Sequence, residues 1–202
     1  MSLFNASATL SPLPIIDGEV SFLEKLALPC PTNALLSKLI TDTPWRADPI
    51  KVWGKIYMQP RLMAWYGDTG KSYMYSGRLY EPYTWTPLLL AVKSCVEQAC
   101  DHQFNSVLLN YYRDGNDSMG FHSDNEHELG KNPVIASLSL GETRTFVLKH
   151  KSNKALKPIR LKLNDGSLLL MGGELQTYWQ HGIPKETKLC SARVNLTFRT
   201  II

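Results

Sequence analysis

Beyond residue 105 the chain offers no stretch suited to a long helix. It runs instead as seven short β-like segments, SVLLNYY, VIASLSL, RTFVLKH, PIRLKL, SLLLM, TYWQH and ARVNLTFRTII, most of them parted by glycine or asparagine turns. Strands this short and this closely spaced bury their apolar faces by stacking sheets. The expectation is therefore a mainly β fold of sandwich, barrel or jelly-roll type. Asn164-Asp165-Gly166, between two of the segments, reads as a hairpin turn.

Helices are expected only upstream, flanking the β part in an α+β arrangement. One spans Asn33 to Ile40, behind Pro31 and before Pro44. A second opens at Thr86-Pro87, a cap followed by proline at the first helical position, and runs to about Cys100 with Leu89, Val92 and Val96 on one stripe. The division expected is an arm over 1–18 and one domain over 19–202, its helical and recognition part at 19–104 and its β core at 105–202. A length of 202 residues with 44% apolar composition suits one such core. MSLFNASATLSPLPIIDG has no basic start followed by an apolar block, and no run of about 18 apolar residues occurs anywhere. The expectation is a soluble monomer that is neither secreted nor membrane-bound, cytoplasmic in a bacterium or nuclear in a eukaryote. Four cysteines without a CxxC pair are expected to stay reduced.

In the last segment, Arg193, Asn195, Thr197 and Arg199 alternate with Val194, Leu196 and Phe198. Successive side chains along a strand point to opposite faces, so one face is apolar and the other carries two guanidiniums, an amide and a hydroxyl. An edge strand with its polar face in water is the plain alternative. The other is a site for a small dicarboxylate, since the arginine fork suits a carboxylate. His122 and Asp124 in GFHSDNEHELG lie two apart, on one side of an extended segment, and His127 is out of register with them. His181 in WQHGIP supplies a third ligand. Two histidines and one carboxylate make the facial triad of non-haem Fe(II) oxygenases, which leaves positions for a bidentate 2-oxo acid and for O2. A solvated polar turn is the competing reading of the same residues.

PRLMAWYGD, YMYSG, NYYRDGND, HSDNE, IASLSLG, GSLLLM, WQHGIP and RVNLTFR occur in this order between residues 60 and 199. Over about 50–202 the chain thereby resembles the AlkB family of Fe(II)- and 2-oxoglutarate-dependent dealkylating dioxygenases, most of all its duplex-DNA-repair branch, homolog two. The resemblance implies a double-stranded β-helix (jelly roll) with Fe(II) on His122, Asp124 and His181. It also implies 2-oxoglutarate held by Arg193 and Arg199 with Asn110, Tyr112 and Thr197. The activity implied is DNA dealkylation: oxidation of an N-methyl group on 1-methyladenine- or 3-methylcytosine-type lesions, coupled to conversion of 2-oxoglutarate to succinate and carbon dioxide and releasing formaldehyde.

The partner implied is alkylated DNA, or RNA, with the target base flipped out of its stack. By the same resemblance Tyr73, Tyr75, Glu126 and Arg61 contact that base or its strand, and Val52-Trp53-Gly54 matches a loop that wedges into the vacated gap. Core packing is the alternative for the tyrosines and the tryptophan, and an exposed turn carboxylate is the alternative for Glu126. The run from Arg144 to Lys162 holds seven basic and no acidic residues, and Lys149 and Lys151 within it are the expected phosphate contacts, against the alternative of a solvated face. Two other functions remain open on the sequence: a demethylase acting mainly on RNA or single strands, and a jelly roll that binds nucleic acid without turnover.

Overall fold

The computed structural model describes residues 9–202 apart from 48, 53–54, 72 and 76–77. The chain opens with β1 (Ser11–Pro12) and β2 (Glu19–Leu23), then helix α1 (Thr32–Asp42). A hairpin of β3 (Pro49–Val52) and β4 (Lys55–Met58) precedes β5 (Leu62–Gly67), and another of β6 (Tyr73–Tyr75) and β7 (Arg78–Tyr80) precedes α2 (Pro87–Cys100). Next come β8 (Ser106–Tyr112), β9 (Met119–His122), β10 (Ile135–Gly141), β11 (Arg144–His150), β12 (Ile159–Leu163) and β13 (Leu168–Gly172). The short helix α3 (Leu175–Tyr178), β14 (Trp179–Ile183) and β15 (Arg193–Arg199) complete the order.

Two antiparallel sheets make the frame. The major sheet has the order β1-β2-β13-β10-β15-β8-β5 and the minor sheet β12-β11-β14-β9. This is the jelly roll expected, with helices on the outer side of the major sheet. Each segment read as β contributes a strand, except that TYWQH begins as the last turn of α3 and becomes strand only at Trp179. The Asn164-Asp165-Gly166 turn forms, with Gly166 at φ +82° and Ser167 N donating to Asn164 O at 3.0 Å, but it closes no hairpin. It carries the chain from β12 in the minor sheet to β13 in the major one. The turn chemistry was legible, whereas the choice of sheet is made by packing.

Helix α2 begins as its sequence requires: Thr86 Oγ1 accepts the N–H of Leu89 at 3.2 Å, and Pro87 occupies the first turn. Leu89, Val92 and Val96 are buried against the major sheet together with Leu35 and Leu39 of α1. Their partners include Leu138 and Leu140 of β10 and Val194, Leu196 and Phe198 of β15. Each fully buried side chain of this kind contributes about 1.5–3 kcal/mol. A second apolar cluster lies between the sheets, with Phe146, Leu148, Leu169, Met171 and Trp179. It fills one part of the sandwich and leaves the other to polar residues.

β15 is not an edge strand: it pairs with β10 on one side and β8 on the other. Its apolar face meets the helices. Its polar face is also buried, with Arg193, Asn195 and Thr197 at 1%, 4% and 7% exposure. The alternative of a water-facing edge is thus excluded. Of the arm expected over 1–18, residues 1–8 lie outside the described residues. Further along, Ser11–Pro12 pairs with β2, and Ile16 O accepts from Trp179 Nε1 at 2.9 Å. All four cysteines are free thiols, and burial pushes the Cys100 thiol up to about 12. No helix among the described residues is long and apolar enough to cross a membrane.

Candidate metal and cosubstrate site

Between the two sheets lies a cavity of about 330 Å³. β9 and β14 bring His122 and His181 opposite one another across the ladder, and Asp124 follows two residues after His122. Gly182 permits this approach, because a Cβ there would sit 2.9 Å from Met119 O. One ligand atom from each of His122, Asp124 and His181 lies within 4.8 Å of the others, so the three can hold one ion. His127 is exposed and starts a short 3-10 turn, outside the group.

The protonation states suit a cation. His122 Nδ1 lies 3.0 Å from Gly120 O, which favours the tautomer with Nδ1–H donating and leaves Nε2 free to ligate. Burial pushes His181 down to about 3, so its imidazole is neutral, and Phe146 stacks on it at 5.2 Å. Burial also acts to raise the Asp124 carboxyl, but the Arg199 guanidinium and the hydrogen bond from His122 outweigh it and hold the group well below the usual carboxylate range. A neutral His181 imidazole and an ionised Asp124 carboxylate are forms in which a divalent metal is bound.

The rest of the cavity suits an anion. Arg193 is buried to 1% exposure; its Nη2 donates to Ser139 Oγ at 2.9 Å, while Nε and Nη1 have no hydrogen-bond partner among the described residues. A buried guanidinium left in that state costs several kcal/mol unless an anion reaches it. Ser137 and Ser139 of β10 face the same side: Asn195 Nδ2 donates to Ser137 Oγ at 2.8 Å and Thr197 Oγ1 to Asn195 Oδ1 at 3.0 Å. The alternation S-L-S in IASLSLG carries this signal in the sequence.

The other expected residues divide. Asn110 lines the cavity, but its Oδ1 accepts from Arg61 Nε at 2.7 Å, so Arg61 and Asn110 act as a pair. Tyr112 is fully buried, with the guanidiniums of Arg193 and Arg144 at 5.0 and 5.4 Å from its ring. Glu126 lines the cavity and has a buried Oε2 without a hydrogen-bond partner among the described residues. Trp53 and Gly54 lie outside the described residues, as do the side chains of Val52, Tyr73 and Tyr75.

The basic run also separates. Arg144 is 1% exposed and donates to the carbonyls of Asp114, Asp117 and Pro184, which makes it a structural anchor. Lys149 is exposed, its Nζ 3.8 Å from the centroid of the Phe121 ring. Lys151 is half-buried: its Nζ donates to the carbonyl of Gln176 at 2.7 Å, and burial lowers its pKa.

Comparisons with known proteins give the family. The family model for the 2OG-Fe(II) oxygenase superfamily matches residues 20–199. This chain is a member of that superfamily. Within the 2OG-Fe(II) oxygenases it belongs to the AlkB family, by its likeness to two groups of curated relatives. It is 43% identical over 175 residues to the alpha-ketoglutarate-dependent dioxygenase alkB homolog 3 of Mus musculus, covering 83% of this chain and 60% of the relative. To the DNA oxidative demethylase ALKBH2 of Homo sapiens it is 41% identical over 159 residues, covering 76% of this chain and 61% of the relative. The chain thus spans about 60% of the length of these relatives. A solved structure titled as that of OsALKBH1 superposes with a TM-score of 0.61 at 16% identity, covering 94% of this chain and 99% of that one, and shows the fold. The oxygenase family implies Fe(II), 2-oxoglutarate and O2, and both the three-ligand group and the anion-ready Arg193 fit them.

Proposed function

We propose that this 2OG-Fe(II) oxygenase is an oxidative demethylase of N-alkylated bases in DNA. The observation that carries the reading is the joining, in one cavity, of a three-ligand metal group with a buried arginine that lacks an anion. That combination serves a cosubstrate-driven oxidation and has no use in a passive binder. The curated relatives named as DNA oxidative demethylases support the choice of substrate.

His122, Asp124 and His181 would hold the iron, and Arg193 and Arg199 would receive the two carboxylates of 2-oxoglutarate. When bound, the metal and cosubstrate supply the oxidation of a methyl C–H bond, with 2-oxoglutarate and O2 going to succinate and carbon dioxide. One oxygen atom of O2 enters succinate and the other the methyl carbon. The resulting N–CH2OH group breaks at its C–N bond, and the carbon leaves as formaldehyde with the base restored. No nucleophile of the protein is needed. Glu126 offers its unpartnered oxygen to an N–H of the flipped base. Exposed Lys149 holds the strand by its phosphates, a contact that fixes position and carries no sequence information.

Duplex DNA is the proposed form, on the match of Val52-Trp53-Gly54 to a wedge loop. The test is formaldehyde and succinate release from one methylated lesion presented in double-stranded DNA, single-stranded DNA and RNA. Release that requires 2-oxoglutarate and is fastest on duplex is the expected result. Preference for RNA or single strands would replace the substrate, and succinate formation with no formaldehyde from any of the three would overturn the reading.

A further inference from the structure

Asp124 sits where no ladder holds it, since residues 123–126 belong to neither strand nor helix. The segment that carries His181 holds it instead. Helix α3 places Gln176, 3% exposed, so that its Oε1 accepts the backbone N–H of Asp124 at 2.9 Å. The neighbouring Ser123 Oγ donates to the carbonyl of Trp179 at 2.8 Å. The orientation of the Gln176 amide follows from chemistry, because the reverse flip would set two donors against each other. In a helix of four residues the Gln176 carbonyl has no partner one turn on, and Lys151 Nζ fills that role at 2.7 Å. Lys151 N also donates to Tyr178 O at 2.8 Å.

We propose that Gln176 is a positioning residue for the metal ligand Asp124, and that Lys151 acts through it by fixing helix α3 and does not serve as a phosphate contact. One short segment, 175–181, then sets two of the three ligands: His181 directly, and Asp124 through Gln176. The inference rests on the metal reading of the site but is independent of the nucleic-acid substrate.

The test is a Co(II) titration of the purified protein, followed by visible absorption. Gln176→Met keeps the volume and removes the acceptor; groups that orient metal ligands are worth about 10–100-fold in metal affinity, so Co(II) affinity should fall by about tenfold or more with an altered band shape. Gln176→Glu keeps an acceptor oxygen at the same reach and should restore most of the affinity and the band. Lys151→Met should weaken Co(II) in the same direction by less, and carries the comparison alone if Gln176→Met does not fold. Lys149→Ala should leave Co(II) binding unchanged while weakening affinity for a single-stranded oligonucleotide. A Gln176→Met or Lys151→Met protein that binds Co(II) as the parent does would overturn the proposal, as would failure of Gln176→Glu to rescue. A parent chain that binds no Co(II) would remove the metal reading itself, whereas one that binds it but demethylates nothing would remove only the proposed substrate.

Discussion

Arg199 Nη2 lies 3.0 Å from Asp124 Oδ2, so the last strand reaches from the cosubstrate end of the cavity to the carboxylate of the metal group. One guanidinium thereby faces both a fixed carboxylate and the place proposed for a second one. Only a planar fork with several N–H groups serves both at once.

Arg199→Lys keeps the charge and loses the fork. A charge-assisted hydrogen bond is worth about 1.5–3 kcal/mol, so the 2-oxoglutarate concentration for half-maximal turnover should rise about tenfold or more with the fold intact. A cosubstrate titration measures this, and an unchanged midpoint would show that Arg199 serves Asp124 alone.

Replacing His122, Asp124 or His181 with alanine should abolish turnover and weaken metal binding. His127→Ala should keep most of both, because His127 is exposed and outside the group. Full iron occupancy in a His181→Ala protein, by elemental analysis after dialysis, would contradict the assignment.

Asp117 gives a pH dependence away from the metal. Burial acts to raise its carboxyl, but the hydrogen bonds from Arg113 prevail and the net shift is downward from 3.8. Its carboxylate accepts from Arg113 N, Nε and Nη2 at 2.9, 2.8 and 2.9 Å. A folded pKa below the unfolded one means that the contribution is complete above the unfolded value and is lost as pH falls through the folded one. Asp117→Asn should therefore cost about 1–3 kcal/mol near pH 7, with the difference from the parent shrinking below pH 4 in chemical denaturation. A pH-independent difference would assign the loss to packing.

Trp53→Ala tests the duplex reading. If the indole fills the gap left by a flipped base, its removal costs on the order of 1–3 kcal/mol by comparison with base–aromatic stacking. Turnover on a methylated duplex should fall about tenfold, with turnover on the same lesion in a single strand little changed. Equal losses on both, with a lowered melting temperature, would place Trp53 in the core.

The alternation of RVNLTFR and the spacing of His122 and Asp124 put the two halves of the site within reach of the sequence alone. What alternation cannot reveal is the medium that a polar face meets. Arg193, Asn195 and Thr197 would read the same against water as against a closed cavity, and only the pairing of β15 with both β8 and β10 decides. Lys149 and Lys151 looked equivalent because both are basic and two apart. The strand ends at His150, however, so parity says nothing about where Lys151 points. Gln176 gave no sign of itself: its role depends on a backbone N–H 52 residues away.

The central position of β15 also bears on how the molecule comes into being. β8 and β10 are synthesised long before the strand that separates them, and until residues 193–199 arrive each presents an open row of backbone donors and acceptors. A nascent chain halted at Ser191 would carry His122, Asp124 and His181 yet expose two unsatisfied strand edges that invite pairing with other chains. Residues 193–199 must be made before the oxygenase site can close, and a product stalled or truncated ahead of them is a substrate for chaperones well before it is an enzyme.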